Sequence, residues 1–125
     1  MPLTAINIWL FYQIGKDDPM DAQERAKYRA KADIVRALAH PTRLFIIEKL
    51  ARQERCVCEL TQMVGADTST VSKHLSVLKN AGILSDEKRG AMVFYRLQTP
   101  FVLEFHRCIE RVLSERLRKQ HALAS

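Results

Sequence analysis

The sequence predicts a mainly α-helical domain with one small β-hairpin. Three observations predict it. Segments free of Gly and Pro, with apolar residues at helical spacing, make up most of the chain. A short apolar helix, a Gly-containing turn and a second amphipathic helix follow one another over residues 58–80. Directly after them, two alternating segments flank Arg89-Gly90, which reads as the turn of a hairpin.

The chain opens with a dense apolar run: Ile6, Ile8, Trp9, Leu10, Phe11, Tyr12 and Ile14. Residues 1–19 have two readings, an extra packed N-terminal helix or a mis-assigned start with Met20 as the true first residue, and carry no assigned function. The run lacks the basic start and small-residue cleavage site of a secretory signal. Residues 20–119 are expected to form the working domain, and residues 120–125 a tail. Residues 21–39 are alanine-rich and charged, which favours a helix. Ala30, Ile34, Val35 and Leu38 form its apolar side. His40-Pro41-Thr42-Arg43 breaks it, and Pro41 suits the first position of the next helix, where its missing N–H costs nothing. Leu44, Ile46, Ile47 and Leu50 then mark a short apolar helix ending near Arg52.

Gln53-Glu54-Arg55 is a polar connector. The chain from Arg55 to Cys58 is expected to be extended, which would point Cys56 and Cys58 to the same side. Leu60, Met63 and Val64 are the expected buried face of the helix over residues 58–64. Gly65-Ala66-Asp67 ends it, and Asp67 or Thr68 can cap the next. There Val71, Leu75 and Leu78 fall at i, i+4 and i+7, one apolar stripe. The opposite face carries Ser69, Thr70, Ser72, Lys73, Ser76 and Lys79, with no carboxylate. Lysine meets phosphate and short hydroxyls reach base edges, so this face can approach DNA. The pattern is a helix-turn-helix with residues 69–80 as recognition helix. Ala81-Gly82 is a stop signal. Residues 83–88 and 91–97 read as strands, with Val93, Tyr95 and Leu97 on a packing face and Lys88 and Arg89 at the tip. A hairpin in this place is a wing. The last helix, residues 101–119, sets Phe101, Phe105, Cys108 and Val112 in a stripe widened by Val102, Ile109, Leu113 and Leu117. That is more apolar surface than a small domain can cover, so a partner subunit is expected.

Composition narrows the function. At 125 residues and 47% hydrophobic, the chain is one globular domain. A net charge of +6 suits a polyanion partner. Three cysteines do not make a disulfide framework, so a reduced, cytoplasmic setting is expected, where close thiols signal metal or redox chemistry. No run approaches the roughly 18 apolar residues that span a membrane. There is no βαβ pattern, no Cys-x-x-Cys and no phosphate-binding loop, which argues against an enzyme. Thiolates select soft ions over magnesium or calcium, and Arg55 beside them favours the thiolate form. The plainer reading of Cys56 and Cys58 is a pair of small buried hydrophobes.

Taken in order, ALAHPTRLFIIEKL, ERCVCEL, TSTVSKHLSVLKNAGIL and DEKRGAMVFYRL resemble the ArsR/SmtB family of metal-sensing winged-helix repressors. The likeness covers roughly residues 25–117. It implies a homodimer, joined through the first and last helices, that binds an inverted repeat in operator DNA and releases it on binding metal. By position, Cys56 and Cys58 match the metal-box thiols. Ser69, Thr70, Ser72, Lys73 and His74 match the DNA-facing residues of the recognition helix, and Lys88, Arg89 and Gly90 match the wing tip. His74 has a second reading, packing within the helix pair. Several departures bear on the inducer. Thr61 stands where some arsenical members carry a third cysteine. Residues 1–55 lack the N-terminal cysteines of cadmium and lead sensors. Glu104-Phe105-His106 fits the start of the zinc-site pattern, but Leu117 and Gln120 occupy its downstream positions, so His106 reads as a surface or interface histidine. The expectation is As(III) or Sb(III), with Cd(II) or Pb(II) and thiol oxidation or persulfide as alternatives. Cys108 is the candidate third ligand, although its place in the apolar stripe favours packing.

Overall fold

The computed structural model describes residues 19–99 and 101–124. The apolar run near the N-terminus, and the question of where the chain starts, lie outside them. The elements are α1 (Ala22–Leu38), α2 (Pro41–Arg52), β1 (Arg55–Cys56), α3 (Val57–Val64), α4 (Thr68–Asn80), β2 (Leu84–Arg89), β3 (Met92–Leu97) and α5 (Phe101–Ala124). Two compact units divide at Ala32 and Asp33, within α1, and the site described below lies in Asp33–Ser125.

Pro41 occupies the first turn of α2, and His40 caps it, with the Thr42 N–H donating to His40 Nδ1 at 3.1 Å. The core of this unit joins Ile46, Ile47 and Leu50 of α2 to Leu60 of α3 and to Val71, Leu75 and Leu78 of α4. Leu84 and Tyr95 of the sheet and Leu38 of α1 close it. The stripe read on α4 is therefore buried as expected. Of the apolar side read on α1, Leu38 is buried together with Ala37, while Ile34 and Val35 are about half exposed in the single chain. Met63 also departs from expectation: it is 37% exposed, beside a shallow groove lined by Pro41 and Phe45 of α2.

The three strands form an antiparallel sheet in the order β1-β3-β2. Arg89 pairs with Met92, so the turn is Gly90-Ala91, not Arg89-Gly90. A two-residue hairpin loop needs a positive φ at its first position, and Gly90 supplies it at 63°. The last helix reaches Ala124, so residues 120–124 of the segment read as a tail are helical. None of its residues is buried. Phe101, Val112, Leu113 and Leu117 are each at least half exposed.

Candidate thiol centre and recognition face

Cys56 plays two structural parts at once. It is the last residue of β1, paired with Phe94 of β3, and it is the N-cap of α3. The Glu59 N–H donates to Cys56 Sγ at 3.4 Å, and the Cys56 N–H donates to Glu59 Oε1 at 3.2 Å. This is a capping box with sulfur in place of the usual hydroxyl. It corrects the expectation of an extended segment through Cys58, because the reciprocal bonds start the helix at Val57. Cys58 sits in the first helical turn, with its Cα 5.4 Å from that of Cys56, and the two sulfurs are joined as a disulfide. The side-by-side placement therefore holds, by a cap and a helical turn where a pleat was expected.

The pair differs in access. Cys56 is 2% exposed, whereas Cys58 is open to solvent. Thr68 at the start of α4 and Ala91, Met92 and Val93 of the wing line the same cavity as the two cysteines. The thiol centre thus shares a cavity with the start of the recognition helix and with the hairpin. The Glu59 N–H in the first turn of α3 points at Cys56 Sγ, and the positive end of a helix dipole favours negative charge at such a place. Arg55 contributes less than the sequence implies. Its Nε donates to the Lys49 carbonyl at 3.3 Å and its Nη1 lies 3.6 Å from Glu59 Oε2. Thr61 is half-buried and offers a hydroxyl only. Cys108 is a free, exposed thiol in a different cavity, among Phe105, Ile109 and Val112 of α5.

On α4, Ser69, Thr70, Lys73, Ser76 and Lys79 are exposed and Ser72 is half-buried. Asp67 is the N-cap by position, without a well-formed side-chain capping bond. Its carboxylate instead accepts from the Ser69 hydroxyl at 2.5 Å. That bond, then one from Thr70, holds the carboxyl of Asp67 below its ordinary range. Lys79 is paired with Asp86 of β2 at 3.0 Å. His74 is half-buried and packs against His40, with ring centroids 4.4 Å apart and planes tilted by 46°. Burial, then the charges of His40 and Arg43, push the His74 imidazole below its usual value.

At the wing, Lys88 is exposed and Gly90 makes the turn. Arg89 is not free. Its guanidinium bonds Glu54 at 2.5 and 3.2 Å and Glu87 at 2.8 Å, and it lies 4.7 Å over the Phe94 ring. Those carboxylates raise the pKa of Arg89, and Arg89 in turn lowers that of Glu54 and Glu87. Sequence reasoning missed this clasp, because Glu54 lies 35 residues away from Arg89.

An amphipathic helix pair, a three-stranded wing and a cysteine pair at their junction define a winged helix-turn-helix protein with a thiol centre. Residues 40–86 match the family model described as bacterial regulatory protein, arsR family. The chain is 35% identical over 95 residues to the HTH-type transcriptional regulator Rv0081 of Mycobacterium tuberculosis, an alignment spanning 72% of this chain and 83% of that one. It is 34% identical over 90 residues to a cadmium resistance regulatory protein CadC homolog of Staphylococcus aureus, across 71% and 67% of the two chains. It is 42% identical over 65 residues to the arsenic resistance regulator ArsR1 of Pseudomonas putida, across 51% of each. The crystal structure of Rv0081 superposes with a TM-score of 0.68 at 33% identity, covering 74% of this chain and 94% of that one. The homodimeric winged helix-turn-helix DNA-binding domain Mb0332 of Mycobacterium bovis superposes at 0.70 and 27% identity, covering 80% and 93%. The chain belongs to the ArsR family of bacterial regulatory proteins.

Proposed function

We propose that the chain is a homodimeric transcriptional repressor that leaves its operator DNA when arsenite or antimonite binds Cys56 and Cys58. The observation that carries the reading is the position of the thiol pair, in one cavity with the first residue of the recognition helix and the turn of the wing. The donor set fits the ligand: two thiols, one open to solvent, at a helix N-terminus that favours thiolate. Arsenous acid would condense with the reduced pair, forming two As–S bonds and releasing two waters. Cys56 would have to leave its cap on Glu59, which would loosen the start of α3 and the β1–β3 pairing together. A coupling of about 1–3 kcal/mol, typical of allosteric proteins, would lower DNA affinity about 5- to 150-fold. Lys73 and Lys88 would meet phosphates, and Ser69, Thr70 and Ser72 would reach phosphates or base edges. The exposed face of α5 would bury itself against a second copy, as the homodimeric M. bovis domain supports. No helix among the described residues is long and apolar enough to cross a membrane.

The joined sulfurs favour a second reading, in which oxidation or persulfidation of the same pair is the signal. One experiment separates the two. Reduced protein is bound to DNA from upstream of its own gene, and arsenite, cadmium, zinc and an oxidant are titrated separately by fluorescence anisotropy. Release at stoichiometric arsenite, lost in Cys56→Ser and Cys58→Ser, supports the first reading. Release by arsenite from the double-serine variant would sink it. Release by oxidant alone moves the assignment to the redox switch, and release by cadmium alone to a cadmium sensor.

A further inference from the structure

Away from the thiols, Glu48 of α2 and His106 and Glu110 of α5 each offer one ligand atom, and the three atoms lie within 4.8 Å of one another. Arg52 and Arg107 line the same cleft between the helices. His106 and Glu110 are one turn apart, so they share a face of α5. Glu48 comes from the helix that carries Ile46, Ile47 and Leu50 into the core.

His106 distinguishes this cluster from an ordinary charged surface. Its side chain is only 19% exposed. Both ring nitrogens are shut off from solvent and neither makes a hydrogen bond. Nε2 lies 3.1 Å from Glu110 Oε1, within ion-pair reach but out of line for a hydrogen bond. Buried polar groups are nearly always satisfied, and one without a partner costs free energy. A cation that accepts a nitrogen lone pair would be the missing partner.

We infer that Glu48, His106 and Glu110 form a second ligand site, for a divalent transition cation of the Zn(II), Co(II) or Ni(II) kind. One imidazole with two carboxylates suits such borderline ions better than calcium or magnesium, and the lack of sulfur makes it a poor site for arsenic. Three protein ligands leave a position for water. The two carboxylates balance the charge of the ion. Arg52 and Arg107 oppose it, and their long side chains can turn their charged ends outward. Occupancy would pin α5, which has no buried residue, to the core-bearing α2.

The test uses the full-length chain with all three cysteines changed to serine, so thiol binding cannot contribute. Co(II) is titrated by absorption spectroscopy and then displaced by Zn(II). One ion per chain is expected, with ligand-field bands and no thiolate-to-cobalt charge transfer. Glu48→Gln and His106→Gln should each weaken binding by roughly tenfold or more, with helical circular dichroism unchanged. Failure of the thiol-free chain to bind Co(II) or Zn(II) stoichiometrically overturns the inference. Undiminished binding by the Glu48→Gln/His106→Gln double variant does so equally. The thiol-free chain cannot answer arsenite, so neither outcome depends on the inducer assigned to Cys56 and Cys58.

Discussion

Cys56 and Cys58 are close in sequence but differ in what their replacement should do. Cys58 is exposed and caps nothing, so under reducing conditions, where no bond to Cys56 is lost, Cys58→Ser should leave stability within about 0.5 kcal/mol, as surface changes usually do. Cys56 is buried and caps α3. Serine can still cap there, whereas Cys56→Ala should lose both the cap and a buried contact, at about 1–2 kcal/mol in urea unfolding. Equal losses for alanine and serine at position 56 would show that the sulfur bond to Glu59 carries no weight. His74 makes a second prediction at this scale. Its imidazole is held below the ordinary value of 6.5 in the folded chain, so the unfolded chain binds the proton first. Stability should fall as pH drops through about 6.5 and level off below the lowered folded value. His74→Gln should flatten that slope in urea midpoints measured from about pH 5 to 8. The capping box is itself legible, since Cys-x-x-Glu over residues 56–59 has the spacing of Ser-x-x-Glu. It was missed because cysteine reads first as a ligand and sulfur is a weak acceptor.

Among the elements, α4 was the most legible. Its stripe of Val71, Leu75 and Leu78 is a local periodicity, and every member is buried. Met63 and Ile34 satisfy the same rule and are exposed, because burial there depends on what stands opposite. The wing was legible as a hairpin but not in its electrostatics. Arg89, expected to be free for a phosphate, is clasped by Glu54 of the β1 connector and Glu87 of its own strand. The clasp ties the segment ahead of the thiols to the hairpin. If Arg89 leaves it for a phosphate, Glu54→Gln should raise DNA affinity at low salt, and Arg89→Ala should flatten the plot of log affinity against log salt by about 0.9. An unchanged slope in Arg89→Ala would mean that the arginine stays with its carboxylates on DNA. Anisotropy titrations at several salt concentrations decide it.

For the whole molecule, order and connectivity could be read along the chain, but what the last helix packs against could not. The apolar residues of α5 mark a face, and a face does not name its partner. Val112→Glu and Leu113→Glu place charge on side chains that are 60% and 52% exposed in the single chain. They should barely disturb the isolated fold. In sedimentation they should nonetheless give the mass of one chain, and DNA binding should weaken by more than about tenfold as the two half-sites lose their linkage. A variant that sediments as the parent and binds DNA equally well would place the interface elsewhere.

The bare last helix also makes abundance a physical variable. A helix of 24 residues with none buried has little of its own chain to hold it. If a second copy covers it, its order follows mass action, and the melting temperature should climb with the logarithm of protein concentration. A cell holding few copies would then hold partly unzipped ones, unable to grip both half-sites. The number of molecules would act as a second input to the switch, alongside whatever reaches the sulfurs.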